Sequence, residues 1–173
     1  MANTADSIVT FFCLDPAVLT AVREQVRPAV PSSPTNDLSL EAAVPTGLEL
    51  DAWDRDRALA AWGTSLPEVD SELVEDLPDR LVYRVATAYS GPERVWATLS
   101  RQHPGLVVHS VSTDGSEFAS HGYHVGGRAI GYEEVEPDLP EDDGDEEVHH
   151  PQEWLFSEQV ARDLLAQAGD GPG

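Results

Sequence analysis

Lysine is absent from this chain. All ten basic residues are arginine, set against 32 acidic residues, for a net charge of −22. A field of that sign repels nucleic-acid phosphates and anionic lipid, so direct binding to either is disfavoured, local arginine patches aside. Cysteine is nearly absent. Cys13 stands alone, so no internal disulfide can form, and it lies in the apolar run IVTFFCL. It reads as a small buried hydrophobe in a reducing cytosol, because nothing beside it in sequence would lower the pKa of a reactive thiol. No apolar run reaches membrane-spanning length, and the N-terminus lacks the basic region of a signal peptide. The expectation is a soluble, cytoplasmic protein without membrane contacts. GxSxG, P-loop and dinucleotide signatures are missing as well, and Gly126–Gly127–Arg128 fits a hairpin turn better than a phosphate loop. No catalytic residue and no cofactor is assigned on this basis.

What is present is enough chain for one domain. The 173 residues are 40% hydrophobic, and a domain of about 150 residues can bury roughly 70% of its unfolded surface without metal or disulfide. The acid is uneven: residues 1–132 carry a net −9, residues 133–173 a net −13. The spacing predicts a strand over Ile8–Leu14. A helix follows, with Asp15 as N-cap, Pro16 in its first turn, and Val18, Val22 and Val26 on one face. Pro28–Asp37 reads as a loop and LSLEAAVP as a short strand. DAWDRDRALAAWG reads as a helix stopped by Gly63. PEVDSELVEDLPD is ambiguous between a loop and a short element. RLVYRVATAY alternates as a strand, with Leu81, Tyr83, Val85, Thr87 and Tyr89 on one side. Ser90 and Glu93 have the spacing of a capping box for a helix that points Val95 and Leu99 inward and closes at Pro104–Gly105. LVVHSVS, EFASHGYHV and RAIGYEEV form a three-strand meander, turned at Asp114–Gly115 and Gly126–Gly127. A last helix places Phe156, Val160 and Leu164 on one stripe. This order predicts an α+β, ferredoxin-like antiparallel sheet with helices on one face. The expected divisions are a domain over 1–135, an acidic linker over 136–150, and a terminal helix with a frayed tail over 151–173.

Several short motifs carry a resemblance. Trp62–Gly63–Thr64, then Thr87–Ala88–Tyr89–Ser90 with Pro92, then a helix closed by Pro104, occur in that order. Over residues 5–130 the chain resembles the YubB/Api92-like family of ferredoxin-like domains, found on phages, plasmids and integrated elements. The resemblance implies the same fold and a mobile-element context, with no defined reaction.

The histidines offer the nearest approach to chemistry. His121 and His124 lie three apart on a strand and therefore point to opposite faces, so they cannot chelate one metal. His149 and His150 follow the acid run and supply no closed ligand set, so no metal site is assigned. A metal-assisted hydrolase using His121, His124, His149 or His150 stands as the enzymatic alternative, and a structural or assembly protein of the mobile element as another. Trp53, Trp62, Trp96 and Trp154 read most simply as core or inter-element packing residues, with Trp154, which follows a loop, the first candidate of the four for an exposed anchor. The acidity allows three readings: a self-repelling linker, adaptation of the whole protein to a salty cytosol, or carboxylates placed to occupy a protein's nucleic-acid channel. For the last, the candidate contacts are Glu68, Asp70, Glu72, Glu75, Asp76 and Asp79 in one cluster. Glu133, Glu134, Glu136, Glu141, Asp142, Asp143, Asp145, Glu146 and Glu147 form another, and the stretch Asp51–Asp56 contributes a third. Glu133 and Glu134 belong to the strand ending in YEEV and so hold fixed positions, whereas 137–147 serves to steer encounter. The favoured expectation is a non-enzymatic acidic protein that binds a host protein. Its sharpest form is a nucleic-acid-mimicking inhibitor of a defence system such as CRISPR or restriction. The sequence leaves the oligomeric state open.

Overall fold

The computed structural model describes residues 4–29, 36–114, 118–135 and 154–169. The chain is α+β. Six strands, β1 (Thr4–Phe12), β2 (Asp70–Leu77), β3 (Arg80–Ala88), β4 (Val107–Thr113), β5 (Ala119–Val125) and β6 (Arg128–Val135), form one open antiparallel sheet in the order β2-β3-β1-β4-β5-β6. Among the described residues the helices are α1 (Pro16–Val26), α2 (Leu40–Ala43), α3 (Arg55–Trp62), α4 (Glu93–Gln102) and α5 (Glu158–Gly169), with a 3-10 turn at Leu50–Ala52.

Alternation along the strands decides which side of the sheet each helix covers. Phe11 and Phe12 are neighbours on β1 and both are fully buried, so the sheet is covered on both faces there. Phe11 faces the main core with Val9, Tyr83, Val85 and Val108, against Leu19, Val22 and Val26 of α1, Trp62 of α3, and Val95, Trp96 and Leu99 of α4. Phe11 meets Tyr83 and Trp96 edge to face, with centroids 5.8 Å from each. Phe12 faces a smaller core with Val107 and Val125, closed by Ala161 and Leu164 of α5. The terminal helix thus covers the face opposite the other four, which corrects the expectation of helices on one face only. Arg80 anchors it, bonding Glu158 at 2.9 Å and lying 5.3 Å over the Phe156 ring. The Ser157 amide donates to the Tyr123 hydroxyl at 3.0 Å.

Local chemistry explains most boundaries. Asp15 caps α1 through the Ala17 amide, with Pro16 in the first turn. Gly63 ends α3 in the left-handed region at φ 86° and donates to the Leu59 carbonyl. A Cβ there meets nothing closer than 3.5 Å, so Gly63→Ala tests the backbone alone. It is expected to lower stability by about 1 kcal/mol, read from the urea midpoint. Gly126 and Gly127 turn β5 into β6 with φ 58° and 85°, the paired positive values that a two-residue hairpin of the primed type requires. Asp114 and Gly115 lie in the connection between β4 and β5, but Gly115 falls outside the described residues.

Four local readings change. LSLEAAVP is a helix rather than a strand. Ser39 accepts from the Ala42 amide and Glu41 occupies the first turn, and capping of this kind outweighs a four-residue apolar pattern that fits either period. PEVDSELVEDLPD resolves into β2, an edge strand. The capping box at Ser90 and Glu93 does not form. Pro92 is the N-cap of α4 without a side-chain bond, and tertiary partners claim both side chains. Finally, α5 starts at Glu158, so Phe156 precedes it, the buried stripe shifts to Ala161 and Leu164, and Val160 is exposed. No described helix is long and apolar enough to cross a membrane.

Candidate functional site

The first cluster of acidic residues divides by the alternation of β2. Asp70 and Glu72 pair with Ala86 and Arg84, and Glu75, after a bulge at Val74, pairs with Val82. The bulge keeps all three carboxylates on the same face, the side of the sheet that α5 leaves open over β1, β3 and β2. All three are exposed and none has an ion pair with a described residue. Asp6 is exposed on the same face of β1, in the row that joins Asp6, Ala86 and Asp70. The other members of the cluster are structural. Asp76 points to the helix side and pairs with Arg23 of α1. Asp79 sits in the β2–β3 turn and bonds Arg80, whose hydrogen bond holds its carboxyl below the usual range. Glu68 is half-buried and accepts from the Leu40 amide at 2.9 Å. Burial pushes its carboxyl up, against the pull of that bond.

Glu133 and Glu134 lie on β6 as expected, yet they cannot act together, because successive residues face opposite sides. Glu133 reaches His121 at 3.3 Å on the α5 side, whereas Glu134 accepts from the Tyr132 hydroxyl at 3.2 Å on the α4 side. The β2 and β6 edges are separated by four intervening strands, roughly 24 Å at normal strand spacing. Both are sheet edges, and charge there also blocks edge-to-edge pairing with other chains. Glu136, Glu141, Asp142, Asp143, Asp145, Glu146, Glu147, His149 and His150 lie outside the described residues.

His121 and His124 face opposite sides of β5. His121 stacks on the Trp154 indole at 4.6 Å and 24°, and Trp154 is buried at 7% exposure, the packing residue of the simpler reading and not the exposed anchor of the alternative. Its partner ring and the floor of Val111 and Ala119 explain the difference. His124 turns to the α4 side. Among the described residues, no group of three histidine, cysteine or carboxylate side chains could hold a metal. Cys13 is buried, and burial pushes its thiol up.

A second site was not read from sequence. At the N-terminal end of α4, Glu93 turns under the helix onto the sheet. Its Oε2 accepts from Ser110 Oγ at 2.9 Å and lies 2.8 Å from His124 Nε2, and its Oε1 accepts from Ser112 Oγ at 3.4 Å. Ser112 also meets Ser7 at 2.8 Å. Above this network opens a cleft of about 510 Å³ bordered by Gly63, Tyr89, Glu93, Phe118, Tyr132 and Glu134. The Tyr132 hydroxyl is pushed up to about 12, first by burial and then by Glu93 and Glu134 nearby. Two motifs singled out in the sequence meet at its rim. Thr64 Oγ1 donates to the Ala88 carbonyl, Ser90 Oγ to the Gly63 carbonyl and Thr87 Oγ1 to the Ser90 carbonyl, each at 2.8 Å. Trp62 Nε1 donates to the Val44 carbonyl at 2.9 Å. Tyr89, expected to continue the β3 face, leaves it at φ 68° and is exposed. The motif residues thus lock the corner after α3 to the corner before α4. Their order along the chain gave no sign that the two corners touch.

No family model, curated protein or solved structure matches this chain.

Proposed function

We propose that this chain is a ferredoxin-like domain that acts by binding a basic surface of another protein, without chemistry of its own. Support for the fold comes from strand order. Within the sheet, β2-β3-β1-β4 with antiparallel neighbours is the arrangement expected of two βαβ halves whose crossovers are α1–α3 and α4. The extra hairpin strands and α5 extend that unit. The YubB/Api92-like resemblance and its mobile-element setting belong to the same proposal. The sharpest form of the function is inhibition of a nucleic-acid-handling host defence protein, whose binding channel is basic and prefers a polyanion.

The observation that carries the binding reading is the set Asp70, Glu72 and Glu75. These carboxylates are exposed, without described ion-pair partners, and fixed on one face of a strand. Preorganised charge of this kind avoids the ordering cost that a loose acidic segment has to meet. The fixed face favours this reading over a linker that is merely solvated.

The test is affinity capture from bacterial lysate at low and high salt, with wild type and the triple variant Asp70→Asn/Glu72→Gln/Glu75→Gln. Wild type is expected to retain nucleic-acid-binding proteins, to release them when duplex DNA is added, and to lose them in the triple variant. Capture that ignores both the competitor and the three substitutions would refute the proposal. Deleting 137–147 is expected to slow association more than it speeds dissociation, because charge that steers encounter acts mainly on the on-rate. Surface plasmon resonance with the captured partner separates the two rates.

A further inference from the structure

The α4 cleft and the β2 face are different surfaces, and the cleft has its own chemistry. Three aromatic side chains, Tyr89, Phe118 and Tyr132, border a space of about 510 Å³ together with the carboxylates of Glu93 and Glu134. Pockets of roughly 300–1,000 Å³ hold ligands, so this one accommodates a side chain from a partner. Arg94 borders it too, with its guanidinium engaged in donating to the Ala60 carbonyl at 3.0 Å. The Tyr132 hydroxyl bonds Glu134 and orients that carboxylate at the rim. Aromatic faces attract cations, and a planar guanidinium gains stacking and two-pronged carboxylate bonds that a lysine ammonium does not.

We propose that this cleft is a socket for an arginine side chain of the protein partner, stacked between the rings of Tyr89 and Tyr132 and paired with Glu134. The socket rests on the proposed function, whose partner is basic, and names the group that is gripped. An opposing feature is the start of α4. A Cβ on Gly63 would lie 3.5 Å and 3.6 Å from the Arg94 and Glu93 amides, and helix N-termini favour anions. Among the described residues, three acidic ones, Glu93, Asp114 and Glu134, border the cleft against the single cation Arg94, and this excess of negative charge decides for the cation.

Tyr89 supplies a clean test. Its backbone occupies the left-handed region, which glycine adopts freely. Tyr89→Gly therefore removes a wall of the socket while relieving the backbone, so the variant should melt above wild type.

The experiment is an amide NMR titration of the full chain with N-acetyl-arginine amide, its lysine analogue and inorganic phosphate, in parallel. Saturable shifts at Gly63, Ser90, Gly91 and Ser120 are expected with the arginine probe, with Kd on the order of millimolar for a single side chain. The lysine probe should bind about threefold more weakly, and phosphate should leave these amides unmoved. Tyr89→Gly and Glu134→Gln should each weaken the arginine probe about fivefold. Phosphate binding at these amides, arginine shifts confined to other surfaces, or unchanged affinity in Tyr89→Gly would overturn the socket. Its failure is separable from failure of the proposed function. If partner capture depends on Asp70, Glu72 and Glu75 while the arginine probe ignores the cleft, the socket alone is wrong. If the probe binds as expected and no basic protein is captured, the partner reading is wrong and the cation site stands.

Discussion

Lowering the pH from 7 to 4 is expected to cost the fold about 3 kcal/mol through His109 alone. His109 lies on the α5 side of β4 at 2% exposure, with its ring 4.6 Å from Tyr123 and 5.9 Å from Phe156. Among the described residues its Nε2 has no hydrogen-bond partner. Burial pulls its pKa down from 6.5 to about 4, helped by His121 and His124 and opposed by a bond to the Trp154 main chain. The sign follows from proton counting. Above pH 6.5 the ring is neutral in both states, and its contribution to stability is fully present. Between 6.5 and 4 the unfolded chain takes up a proton that the folded protein refuses, so stability falls with pH. Near and below 4 the loss is complete. Many carboxylates titrate over the same range, so the measurement is a difference. Urea midpoints are compared at pH 7, 5.5 and 4 for wild type and His109→Phe. The variant should lose the His109 part of the slope and be the more stable protein at pH 4. Parallel slopes in the two proteins would show that His109 protonates without penalty.

Glu93→Ala is expected to destabilise by about 3 kcal/mol, a fall in Tm of roughly 6–12 °C for a chain of this size. The carboxylate is the common acceptor for Ser110, Ser112 and His124, and all three are buried. Alanine leaves Ser110 and His124 in the interior without that acceptor, whereas Ser112 keeps its bond to Ser7. Water entering from the cleft would reach the site first at Glu93 itself, which keeps the cost below that of a fully enclosed charge pair. Glu93→Gln retains one acceptor oxygen and should cost about 1 kcal/mol. A Gln variant as unstable as the Ala variant would show that charge, rather than the hydrogen bonds, holds the network together. Differential scanning calorimetry of the three proteins decides it.

Both effects arise where local sequence signals were silent or misread. The spacing of Ser90 and Glu93 is that of a capping box, and locally nothing else competes. In the fold, β4 and β5 present Ser110, Ser112 and His124 to Glu93 from 17 to 31 residues away, and Ser90 bonds Gly63. Charge-assisted bonds to buried partners outweigh an exposed cap. The α2 segment shows the reverse case, in which a local signal was present but short. The Ser39 cap and a bond from the Leu40 amide to Glu68, 28 residues away, settle a helix that the apolar pattern alone left undecided.

Sequence alone determined the charge, the single thiol in an apolar run, the helix start at Asp15, the helix stop at Gly63 and the turn at Gly126–Gly127. It also placed His121 and His124 on opposite faces. Each of these depends on the residue itself or on neighbours a few positions away, where cap geometry and the period-2 alternation operate. Tertiary structure alone decided which carboxylates remain free. It assigned Asp76 and Asp79 to arginines and Glu68 to a backbone amide, sent Glu133 and Glu134 to opposite faces, and left Asp70, Glu72 and Glu75 together through one bulge. It also placed α5 and Trp154 over His109 and His121, and opened the cleft beside Tyr89. Those outcomes depend on strand order and register, which are set by how whole faces pack and which no local window of sequence contains.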